Sequence, residues 1–232
     1  MILEICAHTF ESALAAQEAG GHQIELCENL SVGGITPSRG LIDRVMEALE
    51  IPIHVLIRPR NGDFCYSEME LKTMLRDIEY CKSIGASGIV CGALTSKFEV
   101  DKHATQMLLS ASKGMEFTFH RAFDQTLDPQ QAFEILMHLG VTRLLSSGQQ
   151  QTAVAGMPLL KWLLNHSEEK IQIMPGGGIS AKNALQFQAA GFRMIHTSAT
   201  KKKKKTGNDL FNQQIVGHSD PEEIRRILFA LS

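Results

Sequence analysis

Two short strings near the N-terminus carry the same spacing of an acid and a thiol. They are Glu4-Ile5-Cys6 and Glu25-Leu26-Cys27. In an extended strand side chains alternate between faces. If Leu3, Ile5, Ile24 and Leu26 face a packed layer, then Glu4, Cys6, Glu25 and Cys27 face the other way together. The same parity turns His54 and Arg58 inward from IHVLIR, Thr118 and His120 from FTFH, and His196 and Ser198 from MIHTS. Carboxylates, a guanidinium and imidazoles gathered in one pocket suit general acid–base chemistry. Glu4 or Glu25 would act as base, His120 as the partner acid, and Arg58 as anion clamp and countercharge to the two acids. Each residue also has a structural reading: a cysteine is often a small buried hydrophobe, and Glu4, Glu25 and Arg58 could form a purely structural ion network.

These side chains converge only if the strands stand side by side. Eight short apolar strands are expected, at about 2–6, 23–27, 53–57, 88–91, 115–119, 143–147, 171–174 and 194–198. Helical patterns alternate with them, at about 10–19, 38–49, 67–84, 101–112, 129–139, 157–166, 181–190 and 221–231. Gly20, Gly85, Gly140 and Gly191 sit where a left-handed residue ends a helix. Ser67 with Glu70, and Asp220-Pro221 with Glu223, read as capping boxes, and Asp128-Pro129 as a capped helix start. Strict alternation closing at eight predicts an α/β fold, a single-domain (β/α)8 barrel of the TIM type over residues 1–232. No GxGxxG follows the first strand, as an open dinucleotide-binding sheet would require.

In such a barrel the chemistry lies at the C-terminal ends of the strands. The loop after strand three contributes Arg60 as a further anion contact, and Cys65 there is a candidate accessory ligand. After strand seven comes Met-Pro-Gly-Gly-Gly-Ile-Ser, 174–180, with Ser180 as the expected cap of the next helix. Gly177 and Gly178, with His196 and Ser198 from strand eight, lie where barrels bind phosphate through backbone N–H groups; a tight turn is the alternative. Cys81 falls on the apolar stripe of a helix and reads as packing, and Cys91 has ambiguous parity.

The 232 residues carry 23 basic and 25 acidic side chains, and five of the basic ones are the run Lys201–Lys205. The remainder, 18 against 25, is mildly acidic, so no nucleic-acid surface is expected. The lysine run, in a loop at about 200–208, is expected to be a solvated, extended connection. No apolar run approaches a membrane span, and the N-terminus lacks a signal-peptide pattern. Five cysteines without a CxxC fit a reducing cytoplasm better than a disulfide framework.

The motifs jointly resemble the CutC copper homeostasis family. The strings are Glu-Ile-Cys 4–6, Ile-Glu-Leu-Cys 24–27, Gly-Gly-Ile-Thr-Pro-Ser-Arg-Gly 33–40, Ile-Arg-Pro-Arg-Asn-Gly-Asp-Phe-Cys-Tyr-Ser 57–67, Gly-Ala-Leu-Thr 92–95, Phe-His-Arg-Ala-Phe-Asp 119–124, Ser-Ser-Gly 146–148 and Met-Pro-Gly-Gly-Gly 174–178. They run in order over about 1–199, and the chain departs from the family pattern after Ala199, where it turns lysine-rich. The resemblance implies a TIM-type barrel, a cytosolic location and a role in copper handling, with Cu(I) held by paired thiols that fall on Cys6 and Cys27. Soft thiolates select Cu(I), here expected in a near-linear geometry.

Two functions follow as expectations. One is Cu(I) binding at Cys6 and Cys27. The other is an enzyme acting by acid–base chemistry on a small phosphorylated or anionic metabolite. Strand six ends Leu144-Leu145-Ser146-Ser147 with no lysine, so a Schiff-base mechanism is not expected. The partners anticipated are a copper ion or a small anion, with neither nucleic acid nor membrane. Self-association into a homo-oligomer is expected, as barrels commonly pair through their outer helices.

Overall fold

The structure, a computed structural model, describes residues 1–202 and 216–232. Eight parallel strands form the inner layer: β1 (Ile2–Ala7), β2 (Gln23–Leu26), β3 (Ile53–Leu56), β4 (Gly88–Cys91), β5 (Glu116–Phe119), β6 (Arg143–Ser146), β7 (Gln172–Pro175) and β8 (Met194–Thr197). Around them lie α1 (Phe10–Glu18), α2 (Arg39–Ala48), α3 (Glu68–Ser83), α4 (Lys102–Ala111), α5 (Pro129–Leu139), α6 (Met157–His166), α7 (Ala184–Ala189) and α8 (Pro221–Leu231). The strand order is β7-β6-β5-β4-β3-β2-β1-β8, and a parallel bridge between Gly176 and His196 joins the two end strands. This is the expected TIM-type barrel.

The element ends follow local chemistry. Ser67 and Glu70 form a reciprocal capping box at the start of α3. Asp128 accepts from the N–H groups of Gln130 and Gln131, with Pro129 in the first turn of α5. Gly140 ends α5 at φ +80°, a conformation that costs a residue with a Cβ. Two start signals resolve differently. Asp220 caps α8 by accepting from Glu222 N–H, while Glu223 accepts from Ala181 N–H instead of closing a box. The seventh helix starts at Ala184 and not at 181, because Ser180 N–H is bound by the Asn183 side chain and the chain turns first. A further element, the antiparallel pair β9 (Thr200–Lys202) and β10 (Val216–Ser219), was not expected from the sequence. Lys201 is exposed there, with Nζ 3.1 Å from Asp220 Oδ1; Lys203–Lys205 lie outside the described residues.

Apolar packing sits mainly outside the strands. Leu3, Ile5, Ile24, Leu26, Val55 and Ile195 pack against the helices in one continuous core. Cys81 and Cys91 belong to that layer, which settles the parity of Cys91. The barrel interior is instead partly polar. Glu4 and His54 are fully buried, and Gln23 and Arg143 nearly so. Glu4 Oε2 accepts from Gln23 Nε2 at 2.6 Å, and Glu4 Oε1 lies 2.7 Å from His196 Nδ1. Further down, His54 Nε2 and Arg143 Nη1 reach the same Glu116 oxygen, at 2.7 and 2.6 Å. Among the described residues no helix is long and apolar enough to cross a membrane.

His54 crosses the interior because β4 presents no side chain at Gly88. A Cβ there would lie 2.2 Å from His54 Cδ2 and 2.8 Å from the Glu116 carbonyl oxygen. Gly88→Ala is therefore expected to destabilise the protein by about 2 kcal/mol or more through overpacking, read as a lower denaturation midpoint at unchanged m-value.

Candidate functional site

The strand ends surround a cavity of about 590 Å³ at the C-terminal mouth. Cys6, Glu25, Arg58, His120, His196 and Ser198 line it, together with the backbone of Gly177 and Gly178. The expected parity of the strands holds, but the levels shift. In the barrel's stagger, Cys6 stands beside Glu25 and Glu4 beside Gln23. The two carboxylates therefore occupy successive levels, and Glu4 lies beneath the cavity with no solvent contact. Cys27 is also fully buried, with Sγ 3.7 Å from Cys6 Sγ. The Cys6 thiol donates to Glu25 Oε1 at 3.6 Å. Cys6 Sγ, a Glu25 oxygen and a ring nitrogen of His196 all lie within 4.8 Å of one another, a spacing that could hold a metal ion.

Charge in this wall is set by burial and neighbours. The Cys27 sulfur beside it, then burial and the nearby Glu25, push the Cys6 thiol well above its usual range. Burial raises the Glu25 carboxyl, the His196 charge pulls it back and Glu4 adds to the rise; the net shift is upward. Burial would raise Glu4 too, but the hydrogen bond and charge of His196, with His54 and Gln23, outweigh it and the shift is downward. His196 moves the opposite way: burial lowers it, yet Glu25 and Glu4 together raise it. Glu4 and His196 thus form a buried ion pair, and Nε2 is the imidazole nitrogen left for a ligand.

Arg58 is not the countercharge of Glu4 and Glu25. Its Nη1 donates to the carbonyls of Val32 and Gly34, both at 2.9 Å, its Nη2 donates to that of Gly62 at 2.7 Å, and it stacks over Phe64. It ties the loops after β2 and β3 together, because the oxygens of Glu4 are already taken one level lower. His120 Nδ1 accepts from Ala122 N–H at 3.2 Å, so the proton of the neutral ring sits on Nε2. Burial, then the charge of Arg58, lowers His120 to about 3, so the ring is uncharged and its Nε2–H is a donor.

Arg60 turns away from the cavity to Glu70 and to Asp63, the latter at 3.0 Å. Cys65 is exposed beside it, while Ser198 Oγ lies 3.3 Å from Thr200 Oγ1 on the cavity wall. Gly177 and Gly178 hold φ of +110° and +72°. Sequence reasoning passed over Arg121, which lines the cavity and is fixed by Asp124 at 2.8 Å and Ser147 Oγ at 2.7 Å. Asp124 in turn accepts from Ser146 Oγ at 2.6 Å and from Ser147 N–H at 2.9 Å. The available signal was the pair of strings containing them, 119–124 and 146–148.

Comparison with known proteins places these features in a family context. The sequence model of the CutC family matches residues 1–201. A CutC family protein of Pasteurella multocida is 45% identical over 199 residues, covering 85% of this chain and 82% of the relative. The human copper homeostasis protein cutC homolog is 42% identical over 199 residues, covering 85% and 73%. The solved structure of the CutC protein from Streptococcus agalactiae superposes with a TM-score of 0.81 at 33% identity, covering 85% of this chain and 98% of that one.

The opposite shifts of Glu4 and His196 predict a pH window. The lowered acid stabilises the fold above its ordinary value of 4.5 and loses that contribution as pH falls through the depressed pKa. The raised imidazole stabilises it below 6.5 and loses that contribution as pH rises through the elevated pKa. Urea unfolding of wild type and Glu4→Gln is expected to differ most between pH 4.5 and 6.5, with the gap narrowing on either side.

Proposed function

The chain belongs to the CutC family, and from that premise we propose that it binds Cu(I) as cargo through Cys6 and Cys27 at the barrel mouth. The observation that carries this reading is the 3.7 Å separation of the two sulfurs. The donor chemistry agrees, since soft thiolates favour Cu(I) over harder divalent ions. Glu25 Oε2 is buried without a hydrogen-bond partner among the described residues and is a further donor beside the pair.

The separation modifies the expected geometry. A linear S–metal–S unit would need about 4.6 Å, twice a metal–thiolate bond of roughly 2.3 Å. A bent arrangement completed by Glu25, or by His196 Nε2 once its proton has left, suits the observed spacing better. Metal replaces protons on the thiols, and the raised Cys6 pKa makes that exchange harder as pH falls. Cys6 forms part of the cavity wall, which gives the ion an entry path. The reading needs both thiols reduced and so goes with a reducing compartment, the cytoplasm.

Anaerobic Cu(I) titration against a chromogenic chelator tests it. One equivalent is expected to bind to wild type, with affinity falling at lower pH. Cys6→Ser/Cys27→Ser should weaken binding by about 100-fold or more, and Glu25→Gln by about tenfold. Equal affinity in wild type and the double variant removes the copper assignment.

A further inference from the structure

The mouth cavity is larger than a metal ion requires. It holds about 590 Å³, against about 30 Å³ for one water molecule, and lies within the range of small-molecule sites. Its wall also carries groups that the thiol pair leaves unused. Arg58 is only 5% exposed and lines the cavity, yet its bonds go to three backbone carbonyls. Among the described residues, no carboxylate lies within ion-pair distance of it. A buried cation without a countercharge is costly. Arg121 supplies a second guanidinium, and Asp124 and Ser147 hold it through Nε and Nη2. Its Nη1 faces the glycine loop: a Cβ built on Gly177 would sit 3.7 Å from it. His120 is 6% exposed, and among the described residues its Nε2 has no partner.

We infer that this cavity binds a small organic oxyanion, a phosphate ester or carboxylate of a few carbons, with Arg58 and Arg121 meeting the charge and His120 Nε2–H donating to a second oxygen. The acids on the wall are engaged elsewhere. Glu25 accepts from the Cys6 thiol. Glu223 accepts from Ala181 N–H and pairs with Arg226 at 3.0 Å. The absence of side chains at Gly177 and Gly178 leaves backbone at the cavity surface near Arg121, where an oxyanion can approach closely. The anion groups differ from the copper donors: a guanidinium pair and a neutral imidazole hold the oxyanion, and sulfur holds the metal.

An NMR titration of the reduced, metal-free protein tests this with inorganic phosphate, a three-carbon phosphate ester and a three-carbon 2-oxo acid. At least one probe is expected to give saturable shifts at Gly177, Gly178 and the residues flanking His120. Arg121→Ala and His120→Phe should each weaken that binding by about tenfold. These two are chosen because Arg58 also joins two loops, so its removal would confound binding with folding. Arg121→Ala should bind Cu(I) as wild type does, which separates this outcome from failure of the copper reading. No saturable shift with any probe, or equal binding in wild type and both variants, overturns the inference.

Discussion

Glu4 has no contact with solvent, and its two oxygens are taken by His196 at 2.7 Å and Gln23 at 2.6 Å. A carboxylate in that position is tolerated only while both partners stay, since an unanswered buried charge costs several kcal/mol. The partners come from β8 and β2, the strands on either side of β1. His54 on β3, with its Nδ1 3.6 Å from the same acid, passes the connection to Glu116 on β5 and Arg143 on β6. Slipping one of these strands by a residue would reverse the direction of its inward side chains. The polar interior therefore fixes the register that a purely apolar one would leave more loosely defined.

That register is what shapes the mouth. With Glu4 committed to the lower level, Glu25 is free to stand beside Cys6, and Cys27 reaches Cys6 diagonally from above. The same commitment keeps His196 oriented through Nδ1 and turns its other nitrogen to the ligand side. Arg58, with no acid in ion-pair distance among the described residues, is a tie between two loops and a source of positive charge at the cavity wall.

Two chemistries then share one opening. Sulfur, carboxylate and imidazole gather around Cys6, while guanidinium groups, a neutral His120 and bare backbone surround the larger space. Glu25 accepts from the thiol through one oxygen, and among the described residues its other oxygen is unpartnered.

Much of this was legible from the chain. Glycines closing helices, caps opening them and apolar strands recurring eight times specify the barrel, because each is a local preference that the fold merely adds together. Strand parity was likewise readable, and it brought Cys6, Glu25, Arg58, His120 and His196 to one cavity. The levels were not readable: parity fixes a face, whereas the stagger that sets Cys6 beside Glu25 arises only when the sheet closes. Nor could the sequence assign partners. Arg58 looked like the natural mate of two acids, but charge alone does not choose between a carboxylate and three nearer carbonyls. Arg121, Asp124 and Ser147 were missed because their junction joins loops from different strands. The sequence by itself determined the architecture and the facing of the reactive side chains; the tertiary structure alone decided their heights, pairings and protonation, since those depend on distances between segments far apart in the chain.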